Sequence, residues 1–156
     1  MLKDFGASYV ILGHSERRNF YGESDQIIAG KVKRTLTAGL SVIACVGENL
    51  KERESGITGE VIKRQLNSIK GSVVDWDRVV VAYEPVWAIG SSEPAPARSI
   101  AEAILYIRKT IADMWGRDKA LKVRIIYGAA ADAEHAKIFK EEKSIQGLLP
   151  GRASVD

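Results

Sequence analysis

The sequence predicts an α/β domain built on a parallel sheet, and three observations carry that prediction. Its strand-like runs are short, apolar and β-branched, as in Tyr9-Val-Ile-Leu12 and Val79-Val-Val-Ala82, which is the pattern of strands buried on both faces. Between such runs lie segments with apolar residues at i, i+4 spacing, ended by glycines. The two kinds of segment alternate without a linker or a clear internal repeat, so residues 1–156 are expected to form a single domain.

Met1 to Gly6 reads as the last turn of a helix, with Gly6 at its C-cap. Tyr9 to Gly13 is the first strand. A helix follows from about Asp25 to Ala38, with Ile28, Val32 and Leu36 on one face and Gly39 as its stop. Leu40 to Val46 is the second strand. The next helical region starts near Glu52, breaks at Gly56 and resumes from a Thr58 cap, turning Val61, Gln65 or Leu66, and Ile69 inward. Val79 to Tyr83 is the third strand. After a turn-rich loop to Pro96, Ser99 to Trp115 forms the strongest helix, carrying Ile100, Ile104, Ile107 and Ile111. Val123 to Tyr127 is the fourth strand. Asp132 can cap a short helix through Ala136 and Phe139, and Ile145 to Leu149 is the fifth strand. The pattern starts at the end of one helix and stops before another, as if cut at both ends.

Composition narrows the function. Net charge is +3, with both signs mixed along the chain, whereas a nucleic-acid footprint needs a one-signed stripe. Cys45 is the one cysteine, which excludes an intrachain disulfide and leaves no metal-binding spacing. No apolar run reaches membrane-spanning length, and no signal-peptide core opens the chain. The expected setting is cytoplasmic, away from membrane and nucleic acid.

Chemistry concentrates at the strand ends. Glu84 follows the third strand, and Pro85 prevents simple continuation by restricting the residue before it. A carboxylate there lies on the face where α/β folds keep their reactive groups. Four strand ends carry distinctive residues: Gly13-His-Ser-Glu-Arg-Arg18, Cys45-Val-Gly-Glu48, Ala82-Tyr-Glu-Pro-Val-Trp-Ala-Ile-Gly90 and Ile126-Tyr-Gly128. In this order and spacing they resemble the triosephosphate isomerase family over nearly the whole chain.

The resemblance implies a partial (β/α)8 barrel with five parallel strands and four connecting helical segments, equivalent to strands four to eight of a fold of roughly 250 residues. Strands one to three and the last helix have no match, and Met1 aligns inside the family's third helix. It also implies interconversion of dihydroxyacetone phosphate and glyceraldehyde 3-phosphate, without cofactor or metal. Glu84 matches the base, and His14 the neutral electrophile that polarises the carbonyl; both roles are those known for the family. Ser15 and Glu16 can open a helical turn whose amides disfavour imidazolium. Cys45 and Glu48 match structural positions beside the site, and a buried inert thiol is the reading of Cys45. Trp87 belongs to the first hinge of a lid, Gly90 matches a phosphate-binding amide, and Tyr127 matches a residue steadying the second hinge. His135 reads as a surface residue.

Three departures fall on phosphate capture. The lid reads Gly90-Ser-Ser-Glu-Pro-Ala95, with Glu93 where the family usually has lysine and Pro94 removing an amide donor. The next loop, Tyr127-Gly-Ala-Ala130, lacks the family's serine. The last, Pro150-Gly-Arg-Ala-Ser154, puts Arg152 after Gly151 where a second glycine is usual. Arg152 either takes a left-handed conformation at some cost or sends the loop elsewhere, and its guanidinium either attracts a phosphate or fills its space. The family's catalytic lysine and asparagine have no match in these residues. Two functions therefore compete: an isomerase, weak alone or completed by an amino-terminal chain, and a non-catalytic oligomeric descendant or phosphorylated-metabolite binder. Open sheet edges and a bared interior face favour a homo-oligomer in either case.

Overall fold

The computed structural model describes residues 2–90, 95–129, 139 and 143–154, and of Arg152 the backbone alone. Four strands, β1 (Tyr9–Leu12), β2 (Ser41–Val46), β3 (Val79–Tyr83) and β4 (Arg124–Tyr127), form one sheet in the order β1-β2-β3-β4. Every neighbouring pair is parallel. Between them run α1 (Ser15–Tyr21), α2 (Asp25–Thr37), α3 (Leu50–Glu54), α4 (Thr58–Ser68), α5 (Ala97–Trp115) and α6 (Arg117–Lys122).

The strand order decides the architecture. Parallel neighbours need right-handed crossovers, and an order that never reverses puts every crossover helix on one face. A doubly wound sheet reverses; an arc of a (β/α) barrel does not. The register shows both faces. Leu12, Ala44, Val81 and Ile125 lie side by side and buried, under the helices. Ile11, Ile43, Val80 and Arg124 line the other face, where Ile11 is 45% exposed. Across this second face Arg124 reaches the Tyr9 hydroxyl at 3.3 Å, joining the first strand to the fourth. The sheet is an open arc of a barrel.

The fifth expected strand is reduced to one parallel bridge, Tyr127 to Leu148. The Tyr127 amide donates to the Gly147 carbonyl and the Leu149 amide to the Tyr127 carbonyl. Before that bridge the ladder is irregular: the Gln146 amide donates to the Ile125 carbonyl at 3.1 Å, but the Ile125 amide goes to the Gln146 side chain at 2.9 Å, which also accepts the Arg108 guanidinium at 2.8 Å.

Helix ends follow local chemistry. Ser24 caps α2 by accepting the Ile27 amide, and Gly39 leaves it at φ +80°. Asn49 and Glu52 form a reciprocal capping box on α3. Thr58, expected as a cap, is instead the first residue of α4; Ile57 holds the cap position with no side-chain bond. The Ile57 amide closes α3 onto the Glu52 carbonyl, and the Ile57 carbonyl accepts the Val61 amide as the first bond of α4. The expected helix at Asp132–Ala136, with His135, lies outside the described residues.

Ile100, Ile104, Ile107 and Ile111 of α5 are fully buried with Val81 and Ile125 in one apolar cluster. Removing the Ile104 side chain beyond Cβ should therefore cost ~2–5 kcal/mol. Urea unfolding of Ile104→Ala should show a lowered midpoint with an unchanged denaturant slope.

Candidate active site

The carboxyl ends of β1, β2 and β3 converge, and backbone packing fixes how closely. At the end of β3, the Glu84 amide donates to the Val46 carbonyl at 2.8 Å, carrying the ladder one residue past the strand. Opposite it lies Gly47, where a Cβ would stand 1.9 Å from the Glu84 carbonyl oxygen. Only glycine permits that approach. Gln65 of α4 then holds Gly47 twice, accepting its amide at 2.8 Å and donating to its carbonyl at 3.1 Å. Glu84 thus starts from a backbone position set by three segments.

Its side chain is equally constrained. Glu84 is 4% exposed. One carboxylate oxygen accepts the Ser15 amide at 2.9 Å, and the other lies 2.9 Å from His14 Nε2. His14 is the N-cap of α1, and its Nδ1 accepts the Glu16 amide at 3.3 Å. An Nδ1 that accepts carries no proton, so the ring's proton sits on Nε2 and is donated to Glu84. The start of α1 is held by Arg18, which donates to the Gly13 carbonyl at 2.8 Å and to Asp25 at 2.6 Å. Buried Glu23 gathers Arg17 and Lys31, tying α1 to α2.

Burial pushes the Glu84 carboxyl above the ordinary glutamate range, and neighbouring His14 and the Ser15 amide only partly offset it. A carboxylate made more basic in this way is suited to take a proton near neutral pH. Burial, with Glu84 adding to it, pushes the Cys45 thiol well up, so Cys45 stays protonated and inert.

A second buried acid, Glu48, is wholly engaged. It accepts the Tyr83 hydroxyl at 3.1 Å and Trp87 Nε1 at 3.0 Å, and pairs with Arg53 at 3.5 Å. The Arg53 guanidinium also lies 4.2 Å from the centre of the Trp87 ring. Trp87 stands in the short turn Val86–Ala88 just after Glu84, so this group anchors that turn.

The remaining expected positions are less enclosed. Gly90 is exposed at φ +76°. Tyr127 is buried at the end of β4, packed 4.8 Å from Phe139; burial raises its phenol, and the Ala95 backbone partly offsets this. Gly151 and Arg152 enter a short turn, Arg152–Ser154, closed by the Ser154 hydroxyl on the Gly151 carbonyl at 2.6 Å. Among the described residues no non-glycine has a positive φ, so Arg152 takes no left-handed conformation. Glu16 is exposed, with its amide rather than its carboxylate turned to His14. Among the described residues no three His, Cys, Asp or Glu side chains gather as a metal set, and no helix is long and apolar enough to cross a membrane.

The family model for triosephosphate isomerase matches residues 1–156. The chain belongs to the triosephosphate isomerase family. It is 46% identical over 154 residues to the triosephosphate isomerase of Saccharomyces cerevisiae, covering 99% of this chain and 62% of that protein. The triosephosphate isomerases of Zygosaccharomyces bailii and Candida albicans are 44% and 45% identical, over 99% and 97% of this chain and 62% and 61% of theirs. The chain thus spans about three-fifths of the length of the curated relatives it matches. The barrel arc is that family's fold in part.

Sequence reasoning missed Gly47, Gln65 and Arg53 as parts of this site. A glycine directly after a β-branched run was a usable signal for close backbone approach; the other two act through tertiary contacts alone.

Two outcomes follow from this geometry. In Gly47→Ala the added methyl collides with backbone, which cannot yield as a side-chain tip can, so a loss of about 2–4 kcal/mol is expected in denaturant unfolding. For Glu84, a folded-state pKa above the unfolded one means stability that is full below the unfolded value and lost as pH rises through the folded one. Glu84→Gln removes that loss. Its stability relative to the native chain should rise from pH 4 to pH 7, roughly the window of glutamate ionisation and its upward shift, as read by urea midpoints.

Proposed function

We propose that this chain carries the proton-transfer part of a triosephosphate isomerase site, acting on dihydroxyacetone phosphate and glyceraldehyde 3-phosphate. The observation that supports it is the 2.9 Å contact between His14 Nε2 and buried Glu84. Glu84 takes the proton from one carbon and returns it to the next. His14, holding its proton on Nε2, donates to the oxygen that becomes negative as the enediolate forms. Because base and donor now bind each other, substrate enters only as the Glu84 side chain leaves the imidazole and the Ser15 amide. Trp87, Gly90 and Tyr127 would carry the lid, with Gly151 and Arg152 near the phosphate. No cofactor is required.

Activity of these 156 residues alone should be weak or absent. They contain no match to the family's catalytic lysine and asparagine, and one lost preorganised contact typically costs ~2.7–4 kcal/mol, a factor of ~10²–10³ in rate. A cytoplasmic assembly that covers the Ile11–Ile43 face, made with further copies or with a chain supplying the family's first three strands, would complete the barrel. The second reading, a non-catalytic oligomeric descendant or phosphorylated-metabolite binder, is favoured by the changed phosphate loops.

A coupled assay decides between them. Turnover above background, alone or with an added amino-terminal fragment, is expected to fall by about 10³-fold or more in Glu84→Gln. Absence of turnover in both settings refutes the enzymatic reading.

A further inference from the structure

Away from the strand ends, α4 and α5 enclose a cleft of about 210 Å³ that shares no residue with the site above. Tyr106, Lys109, Thr110, Asp113 and Met114 line it from one stripe of α5, and Lys63 faces them from α4.

Three features mark the cleft. The first turn of α4 contains Gly59, a poor residue inside a helix. A Cβ there would lie 2.7 Å from Cζ of Tyr106, so the glycine lets that ring approach the α4 backbone closely as a wall of the cleft. Thr110 is 5% exposed and lines the cleft, yet its hydroxyl has no hydrogen-bond partner among the described residues. A helical threonine ordinarily returns its hydroxyl to the carbonyl one turn back. Lys63 and Lys109 are exposed and unpaired among the described residues, although Asp113 follows Lys109 by one turn.

We propose that this cleft binds a compact phosphate monoester with a flat apolar body. Two ammonium groups and a hydroxyl are three donors, matched to a dianionic phosphate better than to a singly charged carboxylate. An inorganic anion leaves the Tyr106 ring and Met114 thioether without a role, and an apolar molecule leaves Thr110 unsatisfied. The volume is below the usual 300–1,000 Å³ of ligand pockets, which limits the body to about one ring. Asp113, which also lines the cleft, adds a negative charge that selects against polyphosphates.

Phenyl phosphate, titrated into the isotope-labelled full chain and followed by amide NMR, tests this. Saturable shifts at Tyr106, Lys109 and Thr110 are expected, with affinity at least about ten-fold above that of inorganic phosphate or phenol. Lys63→Ala with Lys109→Ala should weaken binding by about ten-fold or more. Thr110→Val keeps the shape and should weaken it about three- to ten-fold with the rest of the spectrum unchanged. Equal binding of inorganic phosphate would mean an adventitious ion only and overturn the proposal. So would unchanged affinity in the double lysine variant, or shifts confined to His14 and Ser15. Turnover is not a readout, so failure of the isomerase reading leaves this result intact.

Discussion

At the junction of β2 and β3, the backbone of Gly47 lies directly against that of Glu84, and the geometry of the strand-end site rests on this contact. The Glu84 amide bonds to Val46, and Gln65 holds both polar groups of Gly47. The carboxylate therefore leaves a backbone that cannot drift, and only its side-chain torsions remain free. His14 and the Ser15 amide then hold those torsions from the other wall. The backbone end is fixed for good, whereas the two side-chain contacts are the ones a ligand must displace to reach the carboxylate.

Glu48 and Glu84 are neighbouring buried acids treated in opposite ways. Glu48 faces a hydroxyl, an indole and a guanidinium, all close and all donors. Moving it would strand three groups, so its role is structural, and the Trp87 turn inherits that rigidity. Glu84 has two donors, and burial outweighs them. Its charge is less well compensated, and it is the one of the two that a competing ligand can draw away. Two carboxylates just past the ends of adjacent strands thus divide into an anchor and a candidate base through the number of donors each meets.

Much of this was legible in the residues. Val79–Tyr83 is a strand with the limits its β-branched run implies, and the isoleucine spacing of α5 predicts its buried face. Those signals are local, and buried on both sides they leave few alternatives. His14 and Glu84 were legible as a pair through motif resemblance, while their 2.9 Å contact depends on a parallel register between segments 70 residues apart. The fifth strand failed as an expectation for a tertiary reason. Ile145–Leu149 has strand composition, but the Gln146 side chain takes the Ile125 amide that a longer ladder would need. Helix α6 was missed because Arg117–Lys122 is short, charged and held chiefly by α5.

The two sides of the mouth differ in how they are held. Around β1, β2 and β3, strand-end backbone is bonded from strand, helix and side chain at once, and this is the side that bears the proton donor and the acid. Past β4, among the described residues, one bridge, a few backbone bonds and the Gln146 side chain hold the chain that leads to the Gly151–Ser154 turn. Of the sequence departures, Ala129 and Arg152 fall on that second side, while the Gly90–Ala95 segment follows β3. A side chain can change where few neighbours depend on it, whereas Gly47 or Gln65 cannot change without moving Glu84.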